Sequence, residues 1–430
     1  MLKETIAKPP HAAPSRKARP ELLTMDRLLD TAALLFWEKG YTATTTREIA
    51  SAVEIQQASL YYHIASKEDL LHRLCVSSLQ GFLTSVPLAL DGTAPLDRIP
   101  VIIRTHISTL LKHQERNVAM LTELRALAPR HRAEVVKLRE SYLNILRTAI
   151  QEAQTARKIR ADIPATYLCL ALLNILNWTS LWFRKDQALS AEPLAELFIE
   201  IYLHGVALPP RRDGIPVPDL KPLARRPVPK VRKFVQAAES LTVERLLKAA
   251  VAVFSRKGYA ATSTREVAAL LGMQKASLYY HIEGKEDLLY FICRSSLERI
   301  RTDVASALHG VPDPLDRIRL LIVSHVESML RDADEHSTTL AEMQLLSPER
   351  LAQVRELRDS YEDLVRSVIH EAQNAGLLRA DIDVKYLCLA LLGLMNRVLV
   401  WYRRKGPLAP GQLGELLAVI FLTGAAIHSG

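Results

Sequence analysis

Apolar residues recur three and four apart along most of this chain. Across residues 25–38 they fall at Leu28, Leu29, Ala32, Leu35 and Phe36, the single stripe of an amphipathic helix. "EKGY" closes the stripe, with Gly40 where a helix leaves through the left-handed region. Thr45 and Glu48 have the spacing of a capping box, so a second, short helix opens there; Ser263 and Glu266 repeat it. A tight turn follows, then a third helix carrying "ASLYYHI", residues 58–64. "SKEDLL" from Ser66 starts a long fourth helix, its acidic first turn matched to the helix dipole. Pro95, Pro129, Pro164 and Pro193 sit near the starts of further helices, where a missing N–H costs little. Only 16 glycines and few β-branched runs argue against strands, and abundant Leu, Ala, Glu and Arg favour helices. The pattern predicts an all-α protein.

The pattern also occurs twice. "RLLDTAALLFWEKGYTATTTREIA" from Arg27 returns as "RLLKAAVAVFSRKGYAATSTREVA" from Arg245, 218 residues later. "ASLYYHI" recurs letter for letter from Ala276, and "YLCLALL" starts at Tyr167 and, 219 residues on, at Tyr386. A period this long marks a tandem pair of whole units, not a solenoid. The 430 residues divide into a basic arm (1–20), a first short-helix domain (21–75), a larger helical domain (76–207), a Pro-rich basic linker (208–238), a second short-helix domain (239–293) and a second larger domain (294–430). The linker lacks apolar periodicity and reads as semi-extended. Stretched, it reaches roughly 100 Å, so it permits many arrangements of the halves.

Charge sharpens this division. The net charge is +9; residues 1–20 supply +4 and residues 208–233 supply +6, which leaves −1 for everything else. Basic arms flanking near-neutral domains suit contact with an anionic polymer. Cys75, Cys169, Cys293 and Cys388 lie inside apolar helical patterns with no CxxC spacing, and read as buried thiols in a reducing, cytoplasmic setting. No apolar run of signal-peptide type follows the first lysine. Residues 167–183 are the most apolar stretch, but contain Asn174 and Asn177, and are expected to form a core or interface helix, not a membrane span.

Helix, short capped helix, tight turn, short helix is helix-turn-helix logic, in which the last helix enters the major groove of double-stranded DNA. Gln56, Gln57, Ser59, Tyr61, Tyr62 and His63, with Gln274, Lys275, Ser277, Tyr279, Tyr280 and His281, are the candidate readers. Ala58, Leu60 and Ile64 are expected to pack inward. Gln suits adenine, Lys275 suits guanine or phosphate, and tyrosines offer flat faces and hydroxyls. Thr44, Thr46 and Lys67, and their counterparts Thr262, Thr264 and Lys285, lie at helix starts and are candidate phosphate contacts.

At these residues both halves resemble the TetR family of transcriptional regulators, through "F..KGY", "T+..+IA", "ASLYYHI" and "KEDLL" spread over some forty residues. The resemblance implies a three-helix DNA-binding domain. It further implies a larger helical domain that binds a small ligand and pairs with a second copy. One position departs: where the family's tight turn carries Gly, kept here as Gly272, the first copy has Glu54. A left-handed non-Gly residue costs about 1 kcal/mol, and a carboxylate repels phosphate, so the first reader is expected to be the weaker.

The larger domains show no GxGxxG, P-loop or HExxH, so an enzyme is not expected. No metal or cofactor is implied. His106 and His325 match between copies, as do Glu123 and Glu342, without metal-ligand spacing. The helix after Pro164 holds Asn177, Trp178, Trp182 and Arg184; its counterpart holds Asn396, Arg397, Trp401 and Arg403. This pattern resembles TetR-family members that respond to acyl-coenzyme A thioesters, where the helix helps form the subunit interface and a cavity beside it. An apolar pocket with a cationic rim suits a small hydrophobic ligand on a phosphorylated carrier. Filling of a helix–helix interface is the competing reading for the same aromatics. Arg397 stands where the first copy has Trp178, so the two places need not take the same ligand. The expectation is a ligand-responsive repressor. Its halves pair within the chain as a pseudo-dimer, or each pairs across a homodimer. A sensor or adaptor that has lost DNA recognition is the alternative.

Overall fold

The computed structural model describes residues 24–95, 97–184, 189–205, 208, 215–220, 238–280 and 282–424, without the side chains of 238–243, 275 and 276. Among them every regular element is helical. The first half runs α1 (Met25–Lys39), α2 (Thr46–Ala52), α3 (Gln57–Leu60), α4 (Lys67–Leu90), α5 (Arg98–Lys112), α6 (Gln114–Thr122), α7 (Pro129–Thr155), α8 (Ala165–Trp182) and α9 (Ala191–His204). The second repeats it as α10 (Ala238–Lys257), α11 (Thr264–Leu270), α12 (Lys275–Tyr279), α13 (Lys285–Leu308), α14 (Pro314–Arg331), α15 (Ala333–Glu342), α16 (Pro348–Asn374), α17 (Val384–Asn396), α18 (Val398–Trp401) and α19 (Pro410–Thr423). The counterpart of α8 is thus broken in two, and the break falls at Arg397.

Local chemistry sets these boundaries. Gly40 ends α1 at φ 80, and Thr45 and Glu48 close the expected capping box at the start of α2. Ser66 accepts the Asp69 amide to start α4. Pro129 stands in the first turn of α7. The expected boundaries at 75/76 and 293/294 fall inside α4 and α13, which serve both domains of their half.

α5 packs between α4, α7 and α9, and α14 occupies the same place in the second half. The halves pair through α8 against α17, with α9 meeting α19. There Gly205 (φ 70) and Gly424 (φ 74) meet so closely that a side chain on either would strike backbone of the other half, at Leu422 and Leu203. One apolar core runs through both large domains and takes in the first short-helix domain through Leu28, Phe36 and Leu60. The second short-helix domain keeps a separate core around Leu246, Phe254 and Leu278. Part of the linker is docked: the Leu208 amide donates to Leu377 O at 2.9 Å, Gln412 Nε2 donates to Asp219 O at 2.8 Å, and Ile215, Val217 and Leu220 lie on the shared core. The arm, the rest of the linker and His281 lie outside the described residues. All four cysteines are free and buried. Residues 384–401 form a segment long and apolar enough to cross a membrane, and α17 within it packs on α8.

Candidate nucleic-acid interface and paired helices

Each reading segment is shorter than expected. α3 is one turn long, and Tyr61 to His63 follow it in a turn. Leu60 and Ile64 are buried as anchors, but Ala58 is exposed with the readers. Tyr62 and Tyr280 are 89% and 81% exposed, an apolar display that core packing does not account for. Tyr61 Oη lies 3.2 Å from Thr46 Oγ1, and Gln57 Nε2 donates to that hydroxyl at 3.0 Å. Tyr279 and Thr264 repeat the first contact at 3.2 Å. Gln56, His63, Gln274 and Ser277 are exposed and Ser59 half-buried; the side chain of Lys275 lies outside the description. The turn before the readers is left-handed in both copies: Glu54 has φ 60 and Gly272 has φ 66.

Four residues expected as phosphate contacts are engaged within the protein. Thr44 is fully buried, and its hydroxyl donates to Leu35 O and Gly40 O. Thr262 is buried and donates to Gly258 O at 2.9 Å. Lys67 Nζ donates to the carbonyls of Tyr41, Thr42 and Thr44 at 2.8, 3.3 and 2.7 Å, above the Tyr41 ring. Lys285 does the same with Tyr259 and Ala260, above the Tyr259 ring. These ammonium groups tie the loop after the first helix of each unit to α4 or α13. Among the described residues Arg47 and Arg265 are exposed cations in the first turns of α2 and α11. Their signal was the repeated "TRE" beside the capping residue.

The pairing faces are less alike than their sequences. Trp178 packs on Gly393, where an added Cβ would lie 2.7 Å from the indole's own Cβ. At the pseudo-equivalent contact Asn174, which occupies the place of Gly393, donates to Leu394 O at 2.9 Å and accepts from Trp401 Nε1 at 3.0 Å. Trp182 lies 6.5 Å from Tyr386 across the halves. Asn396 turns inward instead, its Oδ1 3.2 Å from His325 Nε2. His106 and His325 are buried against Tyr142 and Tyr361, and burial pushes them down to about 4 and about 3. Arg184 and Arg403 are exposed and outside the pairing; Arg184 stacks over Trp37 of α1 at 5.9 Å.

Arg397 is 8% exposed, and its guanidinium has no hydrogen-bonding or ion-pair partner among the described residues. Burial, and then the like charge of Arg139 on α7, push it down to about 10. Open grooves of about 540 and 600 Å³ lie elsewhere, on the outer faces of α16 and α13. Around Glu123 the halves meet again: burial and then Glu342 push its carboxyl up to about 7, against the pull of Lys67.

The profile described as "Bacterial regulatory proteins, tetR family" matches residues 28–74 and 246–290. The one described as "Tetracyclin repressor-like, C-terminal domain" matches residues 92–206 and 311–425. The chain is 27% identical over 186 residues to the HTH-type transcriptional repressor KstR2 of Mycobacterium tuberculosis, covering 42% of this chain and 90% of that protein. A Staphylococcus epidermidis biofilm-operon repressor, IcaR, is 46% identical over 58 residues, covering 14% of this chain and 31% of its own. Among solved structures, AibR in complex with isovaleryl coenzyme A and operator DNA is 27% identical, with a TM-score of 0.39, covering 41% of this chain and 96% of that one. Carrying both profiles twice over most of its length, the chain belongs to the TetR family of DNA-binding helix-turn-helix regulators.

Proposed function

We propose that this protein is a single-chain repressor, in which one polypeptide supplies both reading segments of a TetR-type dimer and releases its operator when a hydrophobic, anionic ligand binds at the paired helices. The observation that carries this reading is the pairing of α8 with α17 inside one chain. Joining the halves raises the effective concentration of the partner, so pairing withstands dilution. Two unlike readers, held roughly one DNA turn or about 34 Å apart, call for an operator with unlike half-sites. An acyl-coenzyme A thioester combines the apolar body and phosphates that tryptophans and unpaired arginines suit.

A contiguous route supports release. Gln114 Nε2 donates to Ser180 O and Phe183 O at the end of α8, at 2.7 and 3.0 Å. Two residues on, Arg116 is 4% exposed and clamps α1, donating to Asp26 O at 2.7 Å, Asp26 Oδ1 at 3.0 Å and the Asp30 carboxylate. A shift of α8 therefore pulls on the first DNA-binding domain. Glu335 replaces Arg116 in the second half and pairs with Arg299, so the clamp is not repeated among the described residues.

Selection of genomic fragments by the intact chain at near-physiological salt tests the proposal, since salt suppresses sequence-independent phosphate binding. Enrichment of one imperfect palindrome, lost on adding an acyl thioester, is expected. No enrichment favours the adaptor reading, and a two-chain mass at nanomolar concentration overturns the single-chain pairing.

A further inference from the structure

Each reading segment runs into the first turn of the long helix that follows it, and that helix packs on α7 in the first half and on α16 in the second. In the first half this joint is built from two histidines and two acids. The rings of His72 on α4 and His131 on α7 are stacked, with centroids 3.9 Å apart and planes 5° from parallel. His131 Nδ1 lies 3.0 and 2.9 Å from the two Glu68 carboxylate oxygens, and His72 Nε2 lies 3.1 Å from Glu134 Oε2. Glu68 also accepts the Ala128 amide at 2.7 Å, which closes the start of α7. An ionised carboxylate only accepts, so the facing nitrogen of each ring carries the hydrogen. The other nitrogen of each ring has no protein partner among the described residues. The two rings aim at different acids, and no metal-ligating cluster occurs among the described residues. The neighbouring charges are engaged elsewhere: Asp69 accepts from Arg73 Nε at 3.1 Å and from the Ala65 amide at 3.0 Å, and Arg132 donates to Arg125 O and Leu127 O. Tyr41, with Lys67 above its ring, and Cys75 lie in the fields of Glu68 and Glu123.

The second half keeps the joint and changes its chemistry. Tyr290 and Arg350 take the places of His72 and His131, and Gln353 takes that of Glu134. Arg350 pairs with Asp287 and lies 5.4 Å over the Tyr290 ring. Tyr290 Oη donates to Gln353 Oε1 at 2.7 Å, and Glu286 accepts the Ser347 amide at 2.8 Å. Histidine is the side chain whose charge changes between about pH 5 and 8, whereas arginine and tyrosine keep theirs. We propose that the first joint is proton-sensitive and the second is not: proton uptake by His72 and His131 tightens the seat of the first reading segment on its larger domain. The added protons turn two neutral contacts into ion pairs with charge-assisted hydrogen bonds. One repulsion between the rings opposes them, and two attractions at hydrogen-bonding distance outweigh it. The proposal goes beyond the repressor reading and needs neither operator nor ligand.

Hydrogen exchange of the intact chain at pH 5.5 and pH 8, expressed as protection factors, tests it by reporting local opening. Amides of residues 57–70 should gain roughly three- to tenfold in protection at the lower pH, the yield of two partly exposed ion pairs. His72→Tyr/His131→Arg gives the first joint the second half's side chains and should remove that gain. Glu123 is unchanged in this variant, so its own pH response cancels in the difference. The converse variant, Tyr290→His/Arg350→His/Gln353→Glu, should add a comparable gain to the amides at the start of α13, and it keeps the test open if the first variant fails to fold. An equal gain in the parent and in His72→Tyr/His131→Arg, or no added gain in the converse variant, overturns the proton-sensitive joint and leaves the repressor reading standing. Failure to select an operator strikes the repressor reading alone.

Discussion

Gly393→Ala is the smallest change that tests the pairing of the halves. The new Cβ would sit 2.7 Å from Trp178 Cβ, 3.0 Å from its Cγ and 3.1 Å from its Cδ1. Ordinary carbon–carbon contacts are about 3.5–4.0 Å, so α17 or the indole must retreat by nearly 1 Å. Overpacking of this kind costs about 1–3 kcal/mol. Against it stands the gain from replacing a mid-helix glycine, about 0.5–1 kcal/mol. The net expectation is a loss of up to about 2 kcal/mol, since the two effects oppose. Trp178→Gly removes all three of these atoms, the Cβ included, so in that background Gly393→Ala should become stabilising by the helix term alone. Urea unfolding followed by far-ultraviolet circular dichroism on the four proteins of this cycle reads the coupling, expected at about 1–3 kcal/mol. An equal gain from Gly393→Ala in both backgrounds would refute the Trp178–Gly393 contact, and with it the intrachain register of α8 on α17.

Three further outcomes follow from the same geometry. Glu54→Gly relieves a left-handed residue worth about 1 kcal/mol and removes a carboxylate from the reading turn, so operator affinity should rise; unchanged affinity in a binding titration contradicts this. Lys67→Met should lower the melting temperature of the first DNA-binding domain, whereas Arg47→Ala should weaken binding evenly across sequences and reduce the salt slope by about 1; the reverse assignment would restore Lys67 as a phosphate contact. Glu123 has a folded-state pKa raised from 4.5 to about 7, so its contribution is fully present below 4.5 and is lost as pH rises through about 7. Stability should therefore decline between about pH 4.5 and 7, and Glu123→Gln should flatten that decline in thermal melts.

Most of the fold was legible because the relevant signals are local. Gly40, the Thr45–Glu48 and Ser263–Glu266 boxes and Pro129 each set a helix end through chemistry within a few residues. Alignment with Gly272 places Glu54 in the left-handed region, and alignment with Gly376 (φ 68) does the same for Arg157 (φ 55). What was less legible depends on contacts distant in sequence. Lys67 and Lys285 look like phosphate ligands in one dimension; only the folded loop shows three carbonyls converging on Lys67 from more than twenty residues away. Arg397 stood out in the sequence as the replacement for Trp178, but its burial without a bonded partner is a property of the packed interior. Arg116 was passed over, since its acceptors lie 86 and 90 residues earlier.

Duplication within one chain explains why the two pairing faces can diverge at all. In a homodimer with two-fold symmetry, each contact occurs twice, so every residue must suit its own copy's surroundings at both ends. Here that requirement is gone. Pairing a first half with another first half would set Trp178 against Asn174, a filled position, at both ends of the contact. Pairing two second halves would bring Arg397 opposite Gly393 at both ends, where no indole fills the space above the glycine. Only first-with-second places the indole over the glycine and lets Asn174 bond Trp401 and Leu394. The substitutions that separate Trp178 from Arg397 and Asn174 from Gly393 are therefore mutually dependent. They favour pairing of a first half with a second half by excluding like with like.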